Sequence, residues 1–95
     1  MRRPPVALEE AETIALSGLA MLADAPERMG RFFELSGLDA TQIRELATTA
    51  AFQTAVLAFI RSDESLLLAF ASNLGIDPAR VADAEVLLSG SPARR

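Results

Sequence analysis

Residues 62–90 decide the fold, and they read SDESLLLAFASNLGIDPARVADAEVLLSG. Ser62 is a good helix N-cap in front of a long apolar run. Gly75 can end that helix, because glycine adopts the left-handed backbone conformation at little cost. Asp77 and Pro78 are the residues expected at the N-cap and the first position of a following helix. The stretch therefore predicts two helices joined by a tight turn.

The same helix punctuation divides the rest of the chain. We predict helices over about residues 6–23, from Pro26 to Gly37, over a short segment ending near Thr49, and over about residues 50–61. The predicted capping boxes are Asp24 with Glu27 and Asp39 with Gln42. The predicted core faces include Leu8, Ala15, Leu19 and Leu22 in the first helix, and Val81, Val86, Leu87 and Leu88 in the last.

No segment alternates apolar and polar residues as a strand does, and no hairpin turn signal occurs. We therefore predict an all-α fold, a compact bundle of five or six short helices. A chain of 95 residues fits one domain, so we assign residues 1–95 to it, with frayed tails at residues 1–5 and 91–95.

Two segments 38 residues apart share one pattern. In each, a phenylalanine lies five residues before a glycine, and an aspartate N-cap follows: Phe32 with Gly37, and Phe70 with Gly75. Any tight turn between two helices favours these residue types. A duplicated helical hairpin, giving a pseudo-symmetric bundle, is the alternative interpretation.

The predicted fifth helix is apolar nearly all round. Such a helix is either central in its bundle or covered by a partner. The second case predicts an interaction surface on this helix, composed of Leu66, Leu67, Leu68 and Phe70. The partner is then another protein or a second copy of the chain in a homodimer.

The charge distribution narrows the class of partner. Between Pro4 and Ala93 the chain has five arginines against 13 acidic residues, a net charge of −8. Such an acidic body disfavours nucleic acid and anionic membranes, and it favours solubility or a basic partner. The longest apolar runs are far shorter than the roughly 20 residues of a membrane span. With no cysteine and no signal-peptide pattern, we expect a cytoplasmic protein.

Few residues that carry out catalysis are present. The chain has no histidine, cysteine, lysine, tyrosine or tryptophan, which removes most acid–base and nucleophile roles. No phosphate-binding loop or calcium-binding loop occurs. We expect no enzyme activity, no cofactor and no metal. A carboxylate-based enzyme, the remote alternative, would need a raised pKa at Glu12 or Glu64.

A helix-turn-helix pattern over residues 71–85 gives the alternative function, nucleic-acid binding. Small or apolar residues occupy the positions that such a motif buries. The helix from Pro78 nevertheless offers one arginine, Arg80, against the acids Asp83 and Glu85. A purely structural helical corner explains the same pattern.

Four stretches resemble a family catalogued as domain of unknown function 3572, seen mainly in alphaproteobacteria. They are AETIAL at 11–16, RFFELSGL at 31–38, VLAFIRSDE at 56–64 and LAFA at 68–71. The resemblance extends over about residues 9–88. It implies a short, stand-alone helical protein with no assigned activity, and it supplies no site residues. The apolar fifth helix and the acidic body lead us to expect a non-enzymatic protein-interaction or adaptor domain.

Overall fold

The computed structural model describes residues 5–90, and all regular structure in that range is helical. The elements are α1 (Leu8–Ala23), α2 (Pro26–Ser36), a single 3-10 turn (Ala40–Gln42), α3 (Ile43–Leu46), α4 (Ala50–Arg61), α5 (Glu64–Leu74) and α6 (Pro78–Ser89). The all-α bundle of short helices is confirmed. Apart from Pro5, the predicted frayed tails lie outside the described residues.

The predicted glycine stops and the Asp77 cap are confirmed. Gly37 and Gly75 have φ of 73° and 68°, the left-handed region that side chains with a Cβ rarely adopt. The Ala79 backbone N–H donates a 2.8 Å hydrogen bond to Asp77 Oδ1, and Pro78 begins α6. Local turn chemistry therefore sets both helix ends at this corner.

Two predicted caps are wrong. The cap of α5 is Asp63, whose Oδ1 accepts from the Leu66 N–H at 3.2 Å, while the Ser62 hydroxyl donates back to the Phe59 carbonyl of α4. No side chain caps α2, whose N-cap is Ala25. Asp24 instead continues α1, because its N–H donates to the last carbonyls of that helix.

The repeated glycine–aspartate pattern gives the same aspartate cap at both junctions, but the helices that follow differ. Asp39 accepts from the Thr41 N–H at 2.9 Å, as Asp77 does from the Ala79 N–H. The first junction leads only into a 3-10 turn and the single turn of α3, whereas the second leads into the 12 residues of α6. After α3, the Thr49 side chain caps the N-terminus of α4, where it accepts from the Phe52 N–H.

Helix α4 occupies the centre of the bundle and contacts α1, α2, α5 and α6. Gly18 lets α1 approach it closely, because a Cβ there would lie 2.8 Å from Ile60 Cδ1 and 3.1 Å from Val56 Cγ1. The largest fully buried side chains are Phe32, Phe52, Phe70, Leu22, Leu57, Ile60, Val56 and Val81.

The sequence predicts that the fifth helix is either central in the bundle or covered by a partner. The first alternative is wrong, because α5 does not lie at the centre. Helix α5 packs against α4 and α6 along one face and leaves the other exposed. Three predicted core residues, Leu8, Val86 and Leu87, are also exposed. In α6 the buried residues Val81, Ala84 and Leu88 follow the helical period, and Val86 falls on the opposite face.

Candidate docking groove

An open apolar groove lies between α2 and α4. Its cavity volume is about 290 Å³, and seven residues line it: Phe32, Leu35, Ser36, Ala55, Ala58, Phe59 and Ser62. We call it the α2–α4 groove. A space of this size accommodates one or two apolar side chains rather than a large ligand.

The base of the groove is a packed aromatic cluster. Phe32 is buried, and its ring meets Phe59 edge to face with centroids 5.6 Å apart. Phe32 also meets Phe52 edge to face, with centroids 5.6 Å apart. Edge-to-face contacts of this kind fix ring orientation, so the groove has a preformed base.

Small side chains on α4 keep the groove open. Ala55, Ala58 and Ser62 follow one another at intervals of three and four residues, so they share one face of the helix. None of them carries more than one heavy atom beyond Cβ. Larger residues at these positions would fill the space between the helices.

The polar atoms of the lining are satisfied by the chain itself. The Ser62 hydroxyl donates to the Phe59 carbonyl at 2.6 Å, and the Ser36 hydroxyl contacts the Phe33 carbonyl at 3.5 Å and accepts from the Leu38 N–H at 3.2 Å. The groove therefore presents mainly hydrocarbon, with neither a charged side chain nor an unpaired polar side chain in its lining.

Leu35 stands at the rim of the groove, and 70% of it is exposed. It is the most exposed large hydrophobic residue of the described chain. Exposed charged residues of both signs lie next to the two walls: Arg31 and Glu34 on the α2 side, and Arg61, Asp63 and Glu64 around Ser62.

The predicted interaction residues do not form one surface. Leu66 and Phe70 are buried in the chain's own core, and Leu67 is half-buried. Only Leu68 is open to solvent, at 50% exposure. In this conformation α5 thus offers one of the four predicted side chains to a partner.

The α2–α4 groove was not predicted from the sequence. One signal was available: Phe32, Phe33 and Leu35 span more of the helix circumference than one buried face of a short helix can cover. The position of α4 opposite them is a tertiary property that the pattern does not contain.

The helix-turn-helix segment forms the corner between α5 and α6, and its charged residues already have partners. Arg80 donates to both carboxylate oxygens of Glu10 at 2.7 Å, and Glu85 accepts from Arg61 at 2.6 Å. Helix α6 packs against α1, α4 and α5. Its arginine therefore bridges to α1 instead of extending from an open face.

Acidic residues do not converge on the groove. Glu64 is exposed, Glu12 is half-buried on α1, and neither lines the groove. Among residues 5–90, no group of three or more carboxylates is placed to hold a metal ion. Hydrogen bonds from the Thr41 backbone N–H and then its hydroxyl lower the pKa of Asp39, which reflects its role as an N-cap.

Within the described range, no single helix is long and apolar enough to cross a membrane. The segments Ala40–Leu46 and Ala50–Arg61 reach that length and composition only together, and they are bent by 116° relative to each other.

Comparison with known proteins identifies the family. The model of a protein family of unknown function, DUF3572, matches residues 8–91, and the chain belongs to this family. No curated protein matches the chain. No solved structure matches it.

Proposed function

We propose that this chain is a small non-enzymatic protein-interaction domain and that the α2–α4 groove is its binding surface. The observation that carries the proposal is an open, preformed groove with an apolar lining and an exposed leucine at its rim. An exposed apolar concavity of this kind is the usual recognition feature for apolar side chains of another polypeptide.

The chemistry of the lining favours a polypeptide over a small metabolite. Small-molecule sites combine apolar walls with a few polar groups that orient the ligand. Here both lining hydroxyls form hydrogen bonds with the chain's own backbone, and the lining has no charged residue that could orient a ligand. Side chains such as leucine or phenylalanine on a helix need no such orienting group, because the rest of their helix positions them.

The nucleic-acid alternative gains less support from the same contacts. Binding to DNA would require the α6 arginine to reach phosphates or base edges. Arg80 would first have to give up its two-pronged contact with Glu10. Gel-shift titration on mixed-sequence DNA at low salt tests this alternative directly, since phosphate contacts are strongest there.

Site-specific photo-crosslinking tests the proposal. A benzophenone side chain replaces Leu35 at the groove rim. The matched control places it at Leu68, an exposed leucine on α5. We expect protein adducts from position 35 in cells, and their loss when Ala58→Arg fills the groove. Adducts of equal yield from both positions, or none from position 35, would contradict the proposal.

The cytoplasmic location expected from the sequence is part of this proposal. Cell fractionation with detection of the native chain tests it: recovery in the membrane or periplasmic fraction would contradict it.

A further inference from the structure

We propose that the α2–α4 groove binds a second copy of this chain, with Leu35 of each copy entering the groove of the other. This inference rests on the proposed function and names the partner. The first support is the placement of a projecting leucine directly beside an apolar recess. In a two-fold dimer the same surface meets itself, so a surface that holds both a projection and a recess can be self-complementary.

The exposed face of α4 is suited to close approach. Ala51 and Ala58 are exposed on the same side of the helix as Ala55 and Ser62. All four of these residues have small side chains. The backbone of a second helix can therefore come near enough for Leu35 to reach the aromatic base of the groove.

Charge favours contact through the α2 side of the groove over contact through the rest of the described surface. Residues 26–46, which include α2 and α3, contain three arginines against four acidic residues, a net charge of −1. The remaining described residues contain two arginines against nine acidic residues, a net charge of −7. Two copies repel each other wherever these acidic parts meet, so the balanced region is where contact costs least.

The two walls of the groove also differ in sign. Arg28 and Arg31 precede Leu35 by seven and four residues and share its face of α2, whereas Glu27 and Glu34 lie on a different side of that helix. The α4 wall continues into Asp63 and Glu64, and Arg61 at its end is paired with Glu85. A two-fold axis that runs along the groove sets the α2 wall of one copy against the α4 wall of the other. Arginines of each copy then face acidic residues of its partner, and this complementarity selects a second copy over a uniformly basic partner.

The proposed contact between the two copies is small, so we expect its affinity to be low. A stable complex buries roughly 800 Å² on each partner. A groove of about 290 Å³ filled by one leucine supports less than that. We expect a dimer with a dissociation constant between about 10 µM and 1 mM.

Sedimentation velocity over a concentration series tests the inference. The weight-average sedimentation coefficient should rise with concentration across about 10 µM to 1 mM. Leu35→Glu and Ala58→Arg should each weaken association at least about tenfold. Leu68→Glu, the control with the same change of charge on α5, should associate like the unmodified chain. A monomer throughout the series, or an equal loss with Leu68→Glu, overturns the inference.

A charge exchange checks the arrangement of the two copies. Arg31→Glu and Glu64→Arg should each weaken self-association, because each sets like charges against each other across the axis. An equimolar mixture of the two variants should associate more strongly than either alone, since both contacts in the mixed dimer pair opposite charges. A mixture no stronger than its components overturns the two-fold arrangement.

The photo-crosslinking experiment separates this inference from the proposed function. Position 35 linked to a second copy supports both. Position 35 linked only to a different protein, with a monomeric chain in sedimentation, retains the interaction function and overturns the dimer. No adduct and no self-association overturn both.

Discussion

Glu10 and Arg80 are 70 residues apart in sequence, and a two-pronged ion pair joins them across the bundle. Arg80 Nη2 lies 2.7 Å from each carboxylate oxygen of Glu10, and Nε lies 3.1 Å from Oε2. Only 15% of the arginine side chain is exposed, against 39% of the glutamate. The pair fixes the first turns of α1 and α6 side by side.

A double-mutant cycle should find this pair coupled more strongly than the one between Arg61 and Glu85. We expect a coupling free energy of about 1 kcal/mol for Glu10→Ala with Arg80→Ala, because the contact is bidentate and partly shielded. The Arg61–Glu85 cycle should give about 0.3 kcal/mol, since Arg61 is 40% exposed and makes a single contact. Urea unfolding of each set measures both, and equal couplings would contradict the prediction.

Gly18 and Gly30 should respond in opposite directions to alanine. Both lie inside helices, where alanine is intrinsically favoured over glycine by about 1 kcal/mol. At Gly30 nothing lies within 4 Å of the added Cβ, so Gly30→Ala should raise the free energy of unfolding by about 0.5 to 1 kcal/mol.

Gly18→Ala should instead lower the free energy of unfolding by about 1 kcal/mol, because overpacking at a buried position outweighs the helical gain. The added Cβ would lie 2.8 Å from Ile60 Cδ1 and 3.1 Å from Val56 Cγ1. Ile60→Val in the same chain removes the closest atom and should relieve part of the loss. A stabilising Gly18→Ala would show that the α1–α4 contact relaxes freely.

Helix ends were predictable because their causes are local. Gly37, Gly75 and Asp77 act on backbone groups within a few residues, so the sequence around each one suffices. The misplaced cap at Ser62 shows the limit: two adjacent residues, Ser62 and Asp63, both suit an N-cap, and only the structure assigns one to α4 and the other to α5.

Burial and the groove were not predictable in the same way. The leucines of α5 gave a stronger apolar signal than α4, yet α4 is central, with Val56, Leu57 and Ile60 buried on it. Gly18 of α1 permits part of that packing, and it lies in another helix. Leu35 and Ala58 lie 23 residues apart on helices whose crossing no local pattern encodes. Leu35 can therefore be interpreted as part of a binding surface only once the structure places it next to α4.

The buried Gln53 side chain should contribute to stability through its hydrogen bond to the Ala47 carbonyl. It is the only buried polar side chain in the described core, and its Nε2 donates to the Ala47 carbonyl at 3.1 Å, tying the end of α3 to α4. Gln53→Met keeps the length and removes the donor, so the carbonyl loses its partner. We expect the free energy of unfolding to fall by about 1 to 2 kcal/mol.

The control for Gln53→Met is Gln42→Met, at an exposed glutamine of the 3-10 turn, with an expected change within about 0.5 kcal/mol. Chemical denaturation compares the two variants. Equal effects would show that the Ala47 carbonyl needs no partner from Gln53.

Thr54→Val should stabilise the protein. The Thr54 hydroxyl oxygen is buried without a hydrogen-bond partner, and a buried unsatisfied hydroxyl costs about 1 to 3 kcal/mol. Valine keeps the branched shape and removes that cost, so we expect a gain of about 1 kcal/mol. Thr13→Val is the control, because the Thr13 hydroxyl is exposed and donates to the Glu9 carbonyl at 2.9 Å. Thermal melts in which Thr54→Val loses stability would contradict the prediction.

The pKa of Asp39 should be below its ordinary value of 3.8, and the Thr41 side chain should account for part of the shift. The Thr41 N–H, the larger cause, and the Thr41 hydroxyl both donate to the ionised carboxylate. Because the folded pKa is lowered, ionised Asp39 stabilises the fold above the ordinary value. That contribution is lost as pH falls through the folded pKa. In an NMR titration, Thr41→Ala should raise the pKa of Asp39 only in part, since the backbone donor remains, while Thr13→Ala should leave it unchanged. An Asp39 that titrates at its ordinary value in the unmodified chain would show that the carboxylate does not cap the 3-10 turn in solution.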